Sequence, residues 1–330
     1  MVNISSPDTL DKTRDILTAG RYFRDKFGCN VYKTPISILG FTCPNIDGSV
    51  AKGGCTFCEN ESFSPNLSEK TPKKFYLNPN SPENPFLNGQ LVQLESQFNQ
   101  SRKALSQKFN AKKFLVYFQS FTNTYAPLDT LKALYEKALS FDNAVGLSIG
   151  TRTDSVSDEV LEYLVELSAD HEIWVEYGIQ SVYDETLEAI NRGHSVANMK
   201  EYIKKTKDMG LKVCGHLIFG LPNETQDMML ESVQAAIDLE VDSLKIHPMY
   251  VTNNTILAND YKKGKFVPIT QEAYIDTLIK AFEMLPSDIM IQRITAGIDD
   301  SSLLAPEWCR CKHTQMHNIK LALKNAGFNY

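Results

Sequence analysis

The sequence has no long apolar run, and no window approaches the roughly 18 apolar residues that a transmembrane helix needs. Its start, MVNISSPDTLDKTRDILTAGRYFRDKFG, is charged and amphipathic and lacks the apolar stretch of a signal peptide. We therefore expect a cytoplasmic protein with no membrane partner, and an N-terminal helical extension over residues 1–30. The seven cysteines are odd in number for a chain of 330 residues, so a disulfide framework is not expected.

Acidic side chains are missing from two stretches of a chain whose net charge is -6. No Asp or Glu occurs from Ser96 to Leu128, and none follows Glu307. The basic residues in these stretches are Arg102, Lys103, Lys108, Lys112, Lys113, Arg310, Lys312, Lys320 and Lys324. Negative net charge argues against indiscriminate binding to phosphate backbones. If the fold brings the two stretches to one rim, they could hold a structured RNA, although such runs are usually solvated helix faces.

Strands and helices alternate along most of the chain. From Phe114 onward, short β-rich runs alternate with helical patterns, beginning with KFLVYFQSF and LDTLKALYEKALSF. Counting PISILGF as the first strand, the pattern predicts six strands, and DIMIQRITAG is a candidate for another. This alternation predicts repeated βα units and a parallel sheet. A chain that is 42% hydrophobic can bury the core of such an α/β fold.

Three cysteines closely follow the first predicted strand. Cys43, Cys55 and Cys58 form a C-x11-C-x2-C set in GFTCPNIDGSVAKGGCTFCENESFSP. Three thiolates would leave one iron of a [4Fe–4S] cluster open to a small molecule that chelates through an amine and a carboxylate. The alternative is a zinc site in which Cys309 and Cys311 join Cys55 and Cys58. That alternative leaves Cys43 without a role.

The cluster loop, residues 43–58, carries a family resemblance. Its pattern CPNxDGxxxxGGCxFC, with Phe57 before the last cysteine, resembles the radical SAM superfamily and in particular its YhcC/YtqA subgroup. The core of that subgroup is similar to the radical domain of the Elongator catalytic subunit. The resemblance implies a partial (βα)6 TIM-like radical SAM barrel over residues 31–285 and a C-terminal extension over residues 286–330. In such barrels the chemistry occurs at the carboxyl ends of the strands.

The resemblance also implies the cofactors, a [4Fe–4S] cluster and S-adenosylmethionine (SAM). A cluster held by Cys43, Cys55 and Cys58 would pass an electron to SAM, whose cleavage yields a 5′-deoxyadenosyl radical that abstracts hydrogen from the substrate. Gly53 and Gly54 would let the backbone pass tightly around the cluster. The electron donor would be of the flavodoxin or ferredoxin type.

Polar residues at the ends of the third and fourth predicted strands are candidates for ligand binding. In VEYGIQS, Glu176, Gln180 and Ser181 resemble the stretch that family members place against the ribose and methionine of SAM. A salt bridge across the barrel is the alternative for Glu176. Arg152 in GTRTD could clamp a carboxylate of SAM or of the substrate, or it could form a structural pair with Asp154.

Other candidates lie in later segments and after the second strand. Gly220 in GHLIFGLPNET and His247 in KIHPMYV resemble segments that meet adenine, although a strand histidine is more often structural. Gln119 and Asn123 stand where many members carry a motif that binds the methionine amine. The end APEWCRCK resembles the WCRxK signature of the subgroup, and Cys309 there could donate a hydrogen atom, although most buried cysteines are inert.

The subgroup also suggests a substrate. Members of its YtqA side are implicated in converting the carboxymethylaminomethyl group of the tRNA wobble uridine toward aminomethyl or methylaminomethyl. We therefore expect tRNA as a partner, a tRNA methyltransferase as the enzyme acting next, and Arg152 or a lysine on the substrate carboxylate. Lys112 and Lys113 would help to hold the RNA. The alternatives are radical SAM oxidation or methylation of a small molecule or peptide, and a noncatalytic RNA-binding protein with structural zinc.

Overall fold

The structure, a computed structural model, describes residues 13–59, 76–79, 81 and 83–330. Its centre is a sheet of seven parallel strands. In spatial order these are β2 (Val31–Ile36), β3 (Lys113–Phe118), β4 (Ala144–Thr151), β5 (Glu172–Gln180), β6 (Lys212–Phe219), β7 (Ser243–Pro248) and β9 (Met290–Arg293). The sheet curls so far that Lys33 on the first strand donates a hydrogen bond of 2.6 Å to Gln292 on the last. This partial barrel confirms the predicted α/β fold class.

Short strands and helices complete the described part. β1 (Arg14–Asp15) pairs in parallel with β11 (Phe328–Asn329), and β8 (Val251–Thr252) pairs antiparallel with β10 (Leu303–Ala305). The helices are α1 (Ala19–Phe27), α2 (Pro44–Asp47), α3 (Leu87–Phe109), α4 (Leu128–Leu139), α5 (Asp158–Ser168), α6 (Asp184–Ala189), α7 (Val196–Asp208), α8 (Gln226–Asp238), α9 (Ile256–Lys262), α10 (Gln271–Met284) and α11 (Lys312–Asn325). Within these described residues, none of the helices combines the length and the apolar character that a membrane crossing requires.

Local sequence explains where many helices begin and which face they bury. Helices α1, α5, α7, α8, α9 and α10 each follow a Ser or Thr whose side chain accepts a hydrogen bond from a backbone N–H of the first turn. Helix α4 buries Leu131, Leu134, Tyr135 and Ala138, which the helical repeat places on one face. That face packs against the sheet.

The six predicted strands are present, and DIMIQRITAG contributes the seventh as β9. The predicted bounds of the first strand are too late in the chain, because the strand ends at Ile36 rather than continuing to Phe41. The strand begins before the predicted run and includes Lys33, whose polar side chain points into the barrel. Because Lys33 is polar, an apolar run does not indicate this part of the strand. Residues 1–12 of the predicted N-terminal helix lie outside the described residues, and the helix itself begins at Ala19. The domain boundaries stay predictions.

Helix α1 closes the amino-terminal end of the barrel. Its Phe23 packs on the inward-facing Leu115, Trp174 and Cys214 of three strands. Beside them, Glu172 accepts hydrogen bonds from the Tyr22 hydroxyl at 2.7 Å and from the Trp174 indole N–H at 2.9 Å. With this end filled, the carboxyl ends of the strands are where a ligand can enter.

Candidate active site

A cavity of about 540 Å³ lies at the carboxyl ends of the strands. Its walls include Gln119 after β3, Arg152 after β4, Gln180 at the end of β5 and Pro248 at the end of β7. A volume of this size suits a cofactor together with part of a substrate. The cavity therefore occupies the position at which the sequence predicts the chemistry.

The cluster loop forms one wall of this cavity, which Cys43, Cys55 and Cys58 all line. Cys43 precedes the short helix α2, and the chain then returns through Gly53 (φ 87°) and Gly54 (φ 76°). These left-handed backbone angles favour glycine, because a Cβ would strain them. Both predicted glycines therefore shape the turn that returns the chain to Cys55.

The cluster loop is fastened to the segment that follows α6. The Asn45 amide donates hydrogen bonds to the carbonyls of Asn191 at 2.6 Å and Arg192 at 2.8 Å. In the other direction, the Asn191 amide donates to the carbonyl of Gly54 at 2.7 Å. These reciprocal bonds hold the loop in place against the barrel.

Polar N–H groups point at the cysteine sulfurs. Arg152 Nη1 lies 3.7 Å from Cys43 Sγ, and Arg192 Nη1 lies 3.8 Å from Cys55 Sγ. Burial, followed by the charges of Cys55 and Cys43, raises the pKa of Cys58 well above its usual range. A thiol with a pKa raised in this way stays protonated unless a metal centre binds it, and an iron–sulfur cluster is such a centre. The donor set therefore fits the cluster that the sequence predicts.

The position of Cys309 opposes the zinc alternative. Cys309 packs against Ile298 and Leu303 and does not line the cavity, whereas Cys55 and Cys58 do. Sulfurs that share one zinc ion lie roughly 4 Å apart, because each is about 2.3 Å from the metal. Cysteines separated in this way do not form a single zinc site.

A network of buried charges, the polar floor, lies beneath the cavity and consists of Lys33, Ser148, Glu176, His216 and Lys245. Glu176 is completely buried and pairs with both lysines and with Ser148, and His216 Nε2 lies 2.8 Å from its carboxylate. Burial alone would raise the pKa of Glu176, but the two lysines hold it well below its usual range. Burial and Lys245 lower the pKa of His216 to about 4. These contacts form the salt bridge across the barrel that is the alternative role for Glu176. A role of Glu176 toward SAM stays a prediction.

Glu176, Cys214 and His216 place ligand atoms within 4.8 Å of one another, which is a possible geometry for a metal ion. However, the carboxylate already pairs with Lys33 and Lys245. Two ammonium groups at this distance repel a further cation. We therefore interpret this cluster as structural.

Comparison with known proteins identifies the family. The model described as the Radical SAM superfamily matches residues 48–236, and that of the Radical SAM C-terminal domain matches residues 241–325. The chain belongs to the radical SAM superfamily. It is 34% identical over 310 residues to the uncharacterized protein YtqA of Bacillus subtilis, covering 94% of this chain and 90% of that protein. It is also 34% identical over 303 residues to the protein YhcC of Escherichia coli, covering 92% of this chain and 90% of that protein.

These relatives place the chain in the YhcC/YtqA subgroup. The chain is also similar, at lower coverage or identity, to a tRNA uridine(34) acetyltransferase and to Elp3. A tRNA uridine(34) acetyltransferase of Methanocaldococcus infernus is 34% identical over 157 residues, which is 47% of this chain and 29% of that protein. The structure of Elp3 from the same organism, with residues 1–46 deleted, superposes with a TM-score of 0.58 at 19% identity. The match covers 91% of this chain and 64% of that chain, and it supports the fold alone. As a radical SAM enzyme, the chain uses a [4Fe–4S] cluster and SAM.

Arg152, predicted to clamp a carboxylate, is engaged by its own neighbour. Its Nε and Nη2 donate to the two carboxylate oxygens of Asp154 at 2.7 and 2.6 Å. Although burial opposes it, this bidentate contact raises the pKa of Arg152 and lowers that of Asp154. The geometry is that of the structural pair, with Nη1 left to face Cys43, and a role toward SAM or substrate stays a prediction.

Several predicted SAM residues line the cavity, namely Phe57, Gln119, Gln180 and His247. Gln180 adopts a left-handed φ of 67°, and its Oε1 is buried without a protein hydrogen-bond partner among the described residues. The same holds for His247 Nε2. Buried polar atoms without partners are costly, so these two sites are suited to a bound ligand.

Other predicted residues support the cavity without lining it. Asn123 donates to the carbonyls of Phe118 at 3.2 Å and Gly150 at 2.9 Å, and Ser181 donates to Glu224. Gly220 has a φ of 86°, and a Cβ there would lie 2.7 Å from Ile269. Their ligand-binding roles stay predictions.

Cys309 is fully buried and does not line the cavity. Burial raises the pKa of its thiol to about 12, so the thiol stays protonated. Its backbone carbonyl lies against Gly297, a lining residue at which a Cβ would come within 1.8 Å of that oxygen. The observed contact is structural, and the predicted hydrogen-atom donation stays a prediction.

The sequence patterns do not single out two residues that line the cavity, Arg192 and Arg293. Arg192 lies in NRGH, and the glycine and histidine that follow it are residue types that often occur in binding sites. Its Nε lies 3.0 Å from His194 Nε2, and burial with the charge of Arg192 lowers the pKa of His194 to about 3. Arg293 ends β9, and no local pattern distinguishes it from an ordinary strand-end arginine.

Lys112 and Lys113 lie at one end of the barrel, and Lys312 lies at the other. Lys113 begins β3, and its Nζ lies 5.2 Å from the ring centroid of Phe27 in α1, at the closed end. Lys112 is exposed beside it. Lys312, the first residue of α11, lines the cavity at the open end. These three residues therefore do not share one rim, although the chain after α11 returns to the closed end, where Arg21 of α1 donates to the carbonyl of Asn329 at 3.0 Å. The RNA track stays a prediction.

Proposed function

We propose that this radical SAM enzyme modifies the tRNA wobble uridine, acting on a carboxymethylaminomethyl group to give an aminomethyl or methylaminomethyl product. The resemblance of its core to enzymes named tRNA uridine(34) acetyltransferases carries this proposal. The relatives that cover more than nine-tenths of the chain place it in the subgroup whose YtqA side suggests this substrate. Because the substrate group carries a carboxylate, the cationic residues that line the cavity are consistent with it.

In this proposal Cys43, Cys55 and Cys58 hold the cluster, and the N–H groups of Arg152 and Arg192 stabilise the negative charge on their sulfurs. When bound, the cluster and SAM would supply a 5′-deoxyadenosyl radical that abstracts a hydrogen atom from the carbon between the nitrogen and the carboxylate. Return of one electron from that carbon to the cluster would leave an iminium ion, and its hydrolysis would release the two carboxymethyl carbons as glyoxylate and leave the aminomethyl group. The cysteine wall is fixed to the barrel through Asn45, so the reacting groups keep their alignment.

Gln180 and His247 would bind SAM. Gln180 Oε1 and His247 Nε2 are two of the buried polar atoms that lack protein partners among the described residues, and a ligand hydroxyl, amine or amide can satisfy both. Phe57 packs against the apolar cluster around Leu187 and Met249, which keeps water from that side of the cavity. The polar floor supports the cavity from below and has its charges already paired.

Two partners complete the proposed reaction. A flavodoxin or a ferredoxin would deliver the electron, and a tRNA methyltransferase would act on the aminomethyl product. Neither is needed to test the central claim, because a chemical reductant replaces the donor.

The test is nucleoside mass spectrometry on undermodified tRNA incubated anaerobically with the reconstituted enzyme, SAM and reductant. The proposal predicts loss of the carboxymethylaminomethyl nucleoside with a matching amount of 5′-deoxyadenosine. The Cys58→Ala variant is the matched control and is expected to produce neither change. Production of 5′-deoxyadenosine with the nucleoside unchanged would refute the tRNA proposal and favour a small molecule or peptide as substrate.

A further inference from the structure

The charges that line the cavity are unevenly neutralised. Glu176 pairs with Lys245, and Asp154 pairs with Arg152. Arg293 and Lys312 line the same cavity, yet neither has a carboxylate within 4.0 Å in the described part of the chain. Two cations without counter-ions in a shared cavity favour an anionic ligand.

Arg293 is the more constrained of the two. It lies directly across from Lys245 in the pairing of β7 with β9, so two positive side chains are neighbours in the sheet. Because Lys245 is already paired with Glu176, the uncompensated charge of these neighbours is that of Arg293. Its Nε donates to the carbonyl of Thr295 at 2.6 Å, and this contact orients the guanidinium, whose other N–H groups donate no hydrogen bond within the described part of the chain.

Lys312 enters the same cavity from the start of α11. Gln315, three residues further along α11, accepts a hydrogen bond from the backbone N–H of Ala296 at 3.1 Å and donates one to its carbonyl at 3.0 Å. Because Ala296 follows Arg293 by three residues, these bonds hold the start of α11 beside the strand end that carries Arg293. In agreement with this placement, burial and the charge of Arg293 lower the pKa of Lys312, although Asp299 opposes the shift.

The cluster side of the cavity has its own cations. The guanidinium N–H groups of Arg152 and Arg192 approach the cysteine sulfurs, whereas no such contact involves Arg293 or Lys312 among the described residues. The cations near the cluster and those near β9 therefore serve different anions.

We infer that Arg293 and Lys312 form a binding site for a carboxylate of the substrate. This inference rests on the proposed function, in which the substrate is a secondary amine that carries a carboxymethyl group. In this inference Arg293 and Lys312 take the role that the sequence predicts for Arg152. The Nε and Nη2 groups of Arg152 already donate to the carboxylate of Asp154. Two hydrogen-bonding cations suit the two oxygens of one carboxylate.

The test compares two anticodon stem–loop RNAs that differ only in the wobble group, carboxymethylaminomethyluridine in one and aminomethyluridine in the other. Affinities are measured with reconstituted, SAM-bound enzyme. Wild type is expected to favour the carboxylate RNA about tenfold or more, the usual effect of a hydrogen bond to a charged group. Arg293→Gln and Lys312→Gln are each expected to remove most of that preference. Lys204→Gln, at an exposed helix pair with Asp208, is the matched control and keeps it.

The outcomes separate the site from the proposed function. Equal weakening of both RNAs in the variants would identify a backbone phosphate as the anion and overturn the inference. A matching loss of SAM affinity, measured by calorimetry, would assign the anion to the cofactor and would also overturn it. If wild type prefers the carboxylate RNA and the variants prefer it equally, the proposed function stands and the site is refuted.

A second probe, N-methylglycine, tests the site without RNA. Calorimetric titration is expected to show binding to wild type and to Lys204→Gln, and a loss of about tenfold or more in Arg293→Gln and Lys312→Gln. If the RNAs are not distinguished but N-methylglycine binding depends on these two residues, the carboxylate site stands and the tRNA proposal falls. If neither probe depends on them, the site is refuted.

Discussion

Replacing Glu176 with glutamine is expected to destabilise the barrel strongly. Glu176→Gln keeps the size of the side chain but leaves Lys33 and Lys245 inside the barrel without a carboxylate. Removing one partner of a buried ion pair typically costs about 3–5 kcal/mol, because the remaining charge stays buried. With a urea m-value of about 3 kcal/mol/M, this loss lowers the unfolding midpoint by about 1 M or more.

The assay is urea unfolding of the cluster-free protein, followed by circular dichroism at pH 7. Glu95→Gln is the control, because Glu95 forms an exposed pair with Lys137 at 2.8 Å that is worth less than about 1 kcal/mol. Adding Lys245→Met to Glu176→Gln removes one uncompensated charge and is expected to recover part of the loss. A midpoint for Glu176→Gln that matches that of Glu95→Gln would refute the reasoning.

The same carboxylate gives the prediction a pH dependence. The folded-state pKa of Glu176 lies well below its usual value, since Lys245 and Lys33 overcome the effect of burial. Its contribution to stability is therefore complete above the unfolded pKa of about 4.3 and is lost as the pH falls toward the lower folded pKa. The stability difference between wild type and Glu176→Gln is expected to shrink below about pH 4. A difference that stays constant from pH 7 to pH 3 would contradict the assignment of the charge.

Three further predictions concern the cluster loop and RNA binding. Cys58→Ala is expected to lose iron and acid-labile sulfide while Cys311→Ala, an exposed thiol, keeps both; equal iron in the two variants would contradict the cluster assignment. Asn45→Ala leaves two buried carbonyls without a donor and should cost about 1–3 kcal/mol in the same urea assay, and an unchanged midpoint would show that the loop does not depend on it. Lys112→Glu, at the closed end, should change the affinity for a stem–loop RNA less than Lys312→Glu, and the reverse order would place the RNA at that end.

Features whose chemistry is local can be predicted from the amino-acid sequence of this protein. Cys43, Cys55 and Cys58 lie within one short segment, so their spacing alone predicts a cluster. The alternation of strands and helices is equally local, because each element depends on its own periodicity, and it predicts the parallel sheet. Gly53 and Gly54 belong to the same class, since a left-handed turn is encoded at the residue itself.

The pairing of the charges, in contrast, depends on the three-dimensional fold. Lys33 and Glu176 are 143 residues apart and meet because the sheet curls, so no sequence pattern links them. Arg152 resembles a ligand clamp in the sequence, yet its bidentate face is occupied by Asp154, whereas Arg293 attracts no notice until the cavity is seen. Burial likewise separates Cys309 from the cavity, and the chain alone does not show it. Ion pairs, burial and counter-ions depend on distances across the barrel, which the fold sets rather than any one segment.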